Sequence, residues 1–140
     1  MPLWHIYHPA DTYTAQDKQD LAGAITAYYA RVGLPEFYAV VLFHELPADS
    51  FYVAGKPVTD AVRITVDHLA RTLEDPVMRK KMTEQLDALV KPYTHDRGLH
   101  LEFNVTEVPR DTWMIAGLFP PPIGGEAEKA WAAANRPLPY

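Results

Sequence analysis

Pro2-Leu3-Trp4-His5-Ile6-Tyr7-His8 is rich in aromatic and β-branched residues and stops at Pro9-Ala10-Asp11, so it reads as a strand beginning almost at the first residue. Working outward, Thr14 predicts a helix start, with Asp17 three residues on as a carboxylate variant of the capping box. Leu21, Ile25, Tyr28, Tyr29 and Val32 follow at helical spacing, and Gly33 and Pro35 stop the helix. Phe37 to Glu45 is nearly continuous apolar, which predicts a strand covered on both faces. Strand, helix and strand make one βαβ unit.

The plan then repeats after Leu46 to Asp60, where Pro47, Gly55 and Pro57 around Ser50-Phe51-Tyr52-Val53 suggest a loop with a short ribbon. Ala61 to Leu69 reads as a strand, Asp75-Pro76 as a helix start with proline in first position, and Met78, Met82, Leu86, Leu89 and Val90 as its apolar stripe, ended by Pro92. Leu99, Leu101, Phe103 and Val105 alternate with His100, Glu102 and Asn104, a strand with one wet face. Right-handed crossovers place the four strands in one sheet with both helices on one face, and a trimer is one natural cover for the other. The fold class is therefore α+β, two βαβ units in a single domain over residues 1–140. A dimeric ferredoxin-like barrel shares this arithmetic. The remainder holds a turn at Arg110-Asp111-Thr112-Trp113, a stop at Phe119-Pro120-Pro121-Pro122 and a helix from about Glu126 to Asn135; it ends in an arm read as packed or exchanged rather than catalytic.

Composition narrows the chemistry. With 140 residues, 48% of them apolar, the chain is long enough for a core without staples. The absence of cysteine removes thiolate nucleophiles, disulfides and cysteine-ligated zinc. A net charge of −5 without a basic run argues against nucleic acid. No apolar stretch approaches the roughly 18 residues of a membrane span, and the start does not resemble a signal peptide, so a cytoplasmic protein is expected. The six histidines fail as ligand sets. His5 and His8 point to opposite sides of a strand, and His44-Glu45 lacks the second histidine of a zinc motif. No metal and no cofactor are expected.

Methionine followed by proline is normally processed, which would leave Pro2 with a free secondary amine. Model α-amino groups titrate near ~7.7–8.0, and burial or a nearby cation lowers that value toward the range useful to a general base. Met-Pro starts also occur without any chemical role.

An amino-terminal proline, this first strand and two βαβ units together resemble the tautomerase superfamily, and within it the branch typified by cis-3-chloroacrylic acid dehalogenase. The resemblance covers most of residues 2–131, through Ala24-Ile25-Thr26, Phe43-His44-Glu45-Leu46-Pro47, Val66 to Arg71, Glu107-Val108-Pro109 and Gly117-Leu118-Phe119-Pro120-Pro121. The segment Gly125-Glu126-Ala127-Glu128-Lys129-Ala130-Trp131 resembles the fungal members. The resemblance implies a homotrimer in which Pro2 acts as general base or acid and Arg71 holds a substrate carboxylate, a task suited to a bidentate guanidinium. Other positions depart from the pattern. The second arginine falls on Glu74, the helix histidine on Tyr29, the active-site tyrosine on Asn104, and the water-activating glutamate on Ile115.

Tyr29 and Asn104 retain hydrogen-bonding capacity, but Ile115 cannot activate water. Tyr29 and Trp113 are candidate pocket walls, Phe119 more a core residue, and Arg63 inside a strand needs a partner, a substrate or a subunit-interface ion pair. The expectation is a cofactor-independent, tautomerase-like enzyme for a small anionic carbonyl or enol compound, with Pro2 and Arg71 catalytic and Tyr29, Asn104, Arg63 and Trp113 binding substrate. The alternatives are a hydratase or dehalogenase of three-carbon unsaturated acids, and a catalytically idle binding member of the fold.

Overall fold

The stretch quoted first becomes an interior strand. In the computed structural model, which describes residues 1–69 and 73–140, β1 (Pro2–Pro9) pairs in parallel with β2 (Val40–Leu46) and antiparallel with β5 (Ala61–His68). β5 in turn pairs in parallel with β6 (His100–Glu107), giving the order β2-β1-β5-β6. A separate two-stranded ribbon, β3 (Tyr52–Val53) with β4 (Lys56–Pro57), fills the loop between the two βαβ halves.

Helix α1 (Ala15–Arg31) starts as the sequence predicts. Thr14 Oγ1 accepts from the Asp17 amide at 3.1 Å while the Asp17 carboxylate accepts from the Thr14 amide at 2.9 Å. Arg97 donates two further hydrogen bonds to that carboxylate, at 2.8 and 3.1 Å, tying the helix start to the turn before β6. Helix α2 (Pro76–Val90) carries Asp75 as its cap and proline in its first turn. Leu21, Ile25 and Tyr29 of α1 and Leu86 and Val90 of α2 are buried against Trp4, Ile6, Ile64 and Val66 of the sheet. Helix α3 (Glu126–Ala134) seats Trp131, fully buried, among Phe37, Tyr38 and Tyr140.

The structure differs from the sequence reading at several points. The apolar run after Pro35 enters the sheet only at Val40, because Glu36–Tyr38 form a 3-10 turn that buries Tyr38. Nor is β2 covered on both faces: it is an edge strand, and Val40 and Leu42 are each 41% exposed on the side away from the helices. Helix α2 ends at Val90, two residues before Pro92, as read from the sequence, and Pro92 lies inside a 3-10 turn over Lys91–Tyr93. Val32 and Met78, assigned to apolar stripes, are exposed at helix ends. Phe119 is 49% exposed and so is not core. Among the described residues, no helix is long and apolar enough to cross a membrane.

Candidate active site

Strand register decides what surrounds the amino terminus. Pro2 lies opposite His68, the last residue of β5, and the next amide, Leu69 N–H, donates to the Met1 carbonyl at 2.8 Å. The chain therefore begins in the sheet interior, where Met1 is only 6% exposed. Tyr38, Arg110, Ile123 and Glu128 wall its side, leaving a residual space of about 10 Å³. Desolvation at this position pulls the terminal amine from 8.0 to about 5, with Glu128 opposing the shift and Arg110 adding to it.

The charged groups of this wall come from outside the two βαβ units. Glu128 of α3 is buried, and its carboxylate accepts from the Gly124 amide at 2.7 Å. Gly124 holds a φ of 71°, a conformation that suits glycine, in the turn after Pro120–Pro122. Arg110, half-buried, donates to the Pro121 carbonyl, which fastens it to the same segment. The Tyr38 hydroxyl is buried without a hydrogen-bond partner among the described residues, and burial followed by the Glu128 charge pushes its phenol upward.

On the helix side of the sheet, a cavity of about 220 Å³ opens between the end of α1 and the start of α2, with Tyr29, His68, Met78 and Met82 among its walls. The Tyr29 and His68 rings lie 5.7 Å apart. The Tyr29 hydroxyl is buried beside the Trp4 side chain, and the His68 Nδ1 atom is buried with no hydrogen-bond partner among the described residues. Burial is the main cause of the fall in the His68 pKa from 6.5 to about 4, and the charge of the terminal amine adds to it, while Glu107 opposes it. Burial likewise pushes the Tyr29 phenol well up. Both groups are neutral hydrogen-bonding groups at neutral pH.

Residues 1–136 match the family model described as "Putative oxalocrotonate tautomerase enzyme". The chain belongs to this tautomerase family. The tautomerase chain superimposes on native RhCC from Rhodococcus jostii RHA1 with a TM-score of 0.94 at 41% identity, covering 99% of each chain. It matches a probable enzyme from the thermophilic fungus Aspergillus fumigatus with a TM-score of 0.93 at 41% identity, covering 100% of this chain and 98% of that one. N1, a member of the cis-3-chloroacrylic acid dehalogenase family, shares the fold at 20% identity and a TM-score of 0.74, over 97% of this chain and 92% of that one. No curated protein matches by sequence.

In this chain the sequence-derived site residues divide between the two faces of the sheet. Pro2 and Tyr29 stand on the helix side, at the same end of the sheet as His68. Arg71 lies outside the described residues. Asn104 and Arg63 occupy the opposite, open face, where the Arg63 guanidinium donates to the Asn104 side chain and to the carbonyls of Ile64 and Glu102. Within one chain they do not join Pro2. Trp113 is half-buried against the core and lines neither the Met1 cavity nor the one beside Tyr29. Among the described residues, no cluster of His, Cys, Asp or Glu could hold a metal ion.

Arg110, Glu128, Tyr38 and His68 are the polar residues that sequence reasoning did not single out. A signal exists for two of them. Glu128 precedes Trp131 by three residues and so shares the apolar face of α3, and His68 ends a strand whose other inward residues are Val62, Ile64 and Val66.

Proposed function

We propose that this protein is a cofactor-independent tautomerase that moves a proton on a small anionic enol or carbonyl compound with the amine of Pro2, after removal of Met1. The observation that carries the reading is the burial of the amino terminus at the mouth of the central strand, where desolvation favours a neutral amine. Loss of Met1 would vacate the space between Tyr38, Arg110 and Glu128. It would also deprive the Leu69 N–H of its acceptor, leaving a fixed donor beside the Pro2 nitrogen for a substrate oxygen.

In the reaction, the Pro2 nitrogen takes the proton of the enol oxygen and, as ammonium, returns one to the neighbouring carbon, so that enol becomes ketone without gain or loss of electrons. Arg71 is the proposed carboxylate anchor, as the resemblance implies, and Tyr29 a hydrogen-bond donor to the substrate. Asn104 and Arg63 enter the proposal from a neighbouring copy, because they lie on the face a trimer would cover. That face has the composition of an interface: Leu42 and Val40 stand beside the stacked rings of Tyr7 and His44, whose centroids are 4.5 Å apart.

The test is the conversion of phenylenolpyruvate by the processed protein and by Pro2→Ala, with the amino terminus established by mass spectrometry. The expected loss in kcat/KM is on the order of 10²-fold or more. Turnover at the buffer rate across several enol acids, or retention of Met1, would sink the proposal.

A further inference from the structure

The arm that sequence reasoning assigns to packing carries charged groups to the amino terminus. We propose that the C-terminal segment controls the protonation of the Pro2 amine electrostatically, with Glu128 as a positioning carboxylate and Arg110 as the opposing cation. The inference rests on the reading of Pro2 as the reactive amine.

Geometry carries the argument. Glu128 is 5% exposed, forms no ion pair among the described residues, and receives a hydrogen bond from one backbone amide. A buried carboxylate so placed is costly unless it serves a site. It lines the space that Met1 fills, opposite the buried Tyr38 hydroxyl, and Arg110 lines the same space. The segment is firmly held: the Trp131 indole N–H donates to the Leu138 carbonyl at 2.7 Å, and Asn135 Oδ1 accepts from the Phe37 amide at 2.9 Å. The two charges are therefore fixed relative to the end of β1.

Opposite charges bracket one nitrogen. With Met1 in place, Glu128 favours the ammonium form of the Met1 amine and Arg110 the neutral form, and the Pro2 nitrogen, the next along the backbone, would inherit that field once Met1 is removed. The other titratable groups facing the position are Tyr38 before β2, Tyr29 on α1 and His68 on β5, with Glu107 of β6 acting on His68. Both phenols and the His68 imidazole are neutral at pH 7, so among the described residues the balance rests on Glu128 and Arg110. In this arrangement desolvation and the cation weaken the amine as a base, and the carboxylate offsets part of that loss without exposing the nitrogen to water.

The experiment follows the Pro2 nitrogen itself. In processed protein labelled with 15N-proline, Pro2 carries the one proline nitrogen that titrates, because the others are tertiary amides. Its 15N shift against pH then gives the amine midpoint directly. Glu128→Gln keeps the acceptor for the Gly124 amide and is expected to lower the midpoint by about one pH unit; Arg110→Met is expected to raise it by about as much. These opposite signs are not an outcome of general structural damage, and each variant carries the test should the other fail to fold. Unmoved midpoints, or shifts of the same sign, overturn the inference. Phenylenolpyruvate turnover is read on the same samples. A wild-type protein without turnover whose midpoints still shift oppositely refutes the tautomerase reading and leaves the electrostatic control standing. Active wild type with unmoved midpoints does the reverse, and retained Met1 overturns both.

Discussion

Removal of the Trp131 side chain probes the attachment of the arm most directly. Trp131 is fully buried, with ring centroids of Phe37 and Tyr140 at 6.0 Å and of Tyr38 at 6.2 Å. An aromatic side chain buries about 150–250 Å², which at about 25 cal/mol per Å² corresponds to roughly 4–6 kcal/mol. Large aromatic-to-alanine changes in cores cost about 3–5 kcal/mol, less than the full transfer value where neighbouring side chains relax into the space. Trp131→Ala is therefore expected to destabilise the protein by about 3–5 kcal/mol. Trp131→Phe, which keeps most of the ring but removes the hydrogen bond to Leu138, is expected to lose about 1 kcal/mol from that bond. Urea unfolding at one fixed protein concentration, followed by far-UV circular dichroism, measures the global term. Amide exchange across Glu126–Ala134 measures the local one. If Trp131→Ala changes both by less than about 1 kcal/mol, the arm does not hold Glu128 in place as argued.

Other perturbations address separate parts of the structure. The depressed His68 pKa means that the unfolded chain binds the extra proton first, so stability present above pH 6.5 is lost as pH falls toward about 4. Urea midpoints between pH 7 and 4.5 should fall less steeply in His68→Gln than in wild type. Asn135 ends α3 with φ 46° and accepts from the Phe37 amide; Asn135→Ala is expected to cost about 1–2 kcal/mol, read by thermal unfolding, while Asn135→Gly should recover the backbone part. Leu42→Arg places a charge in the exposed sheet face beside β1 and is expected to convert the proposed trimer to monomers, as read by light scattering, with the far-UV spectrum unchanged. An unchanged mass would remove that face from the interface.

The element plan was legible because its signals are local. The Thr14 and Asp17 pair caps α1 through atoms three residues apart, Asp75-Pro76 presets the first turn of α2, and the alternation of β5 and β6 marks their inward faces. Boundaries failed where a tertiary contact outweighed local pattern. Phe37 and Tyr38 look like strand residues, yet they turn inward because Trp131, more than ninety positions away, offers a ring surface to pack against. Phe119 shows the converse: an apolar residue between core-like neighbours stays exposed where the prolines that follow fix the direction of the chain.

For the site, Pro2 is legible as a candidate amine in a chain without cysteine, and the family resemblance rather than the residue alone gives it weight. By itself the sequence determined that a strand starts there, that two βαβ units follow, and that the family resemblance points to proton transfer. Tertiary structure decided the rest. The antiparallel pairing of β1 with β5 sets His68 opposite Pro2, the alternation of strand faces separates Asn104 and Arg63 from it, the pairing of β6 with β5 carries Arg110 to the amino-terminal end of β1, and α3 places Glu128 there. The physical reason is that electrostatic control depends on distance and burial. Residues 110 and 128 are far from residue 2 along the chain, and only the sheet pairing that precedes Arg110 and the packing of Trp131 on α3 bring them to the end of β1 in a dry environment.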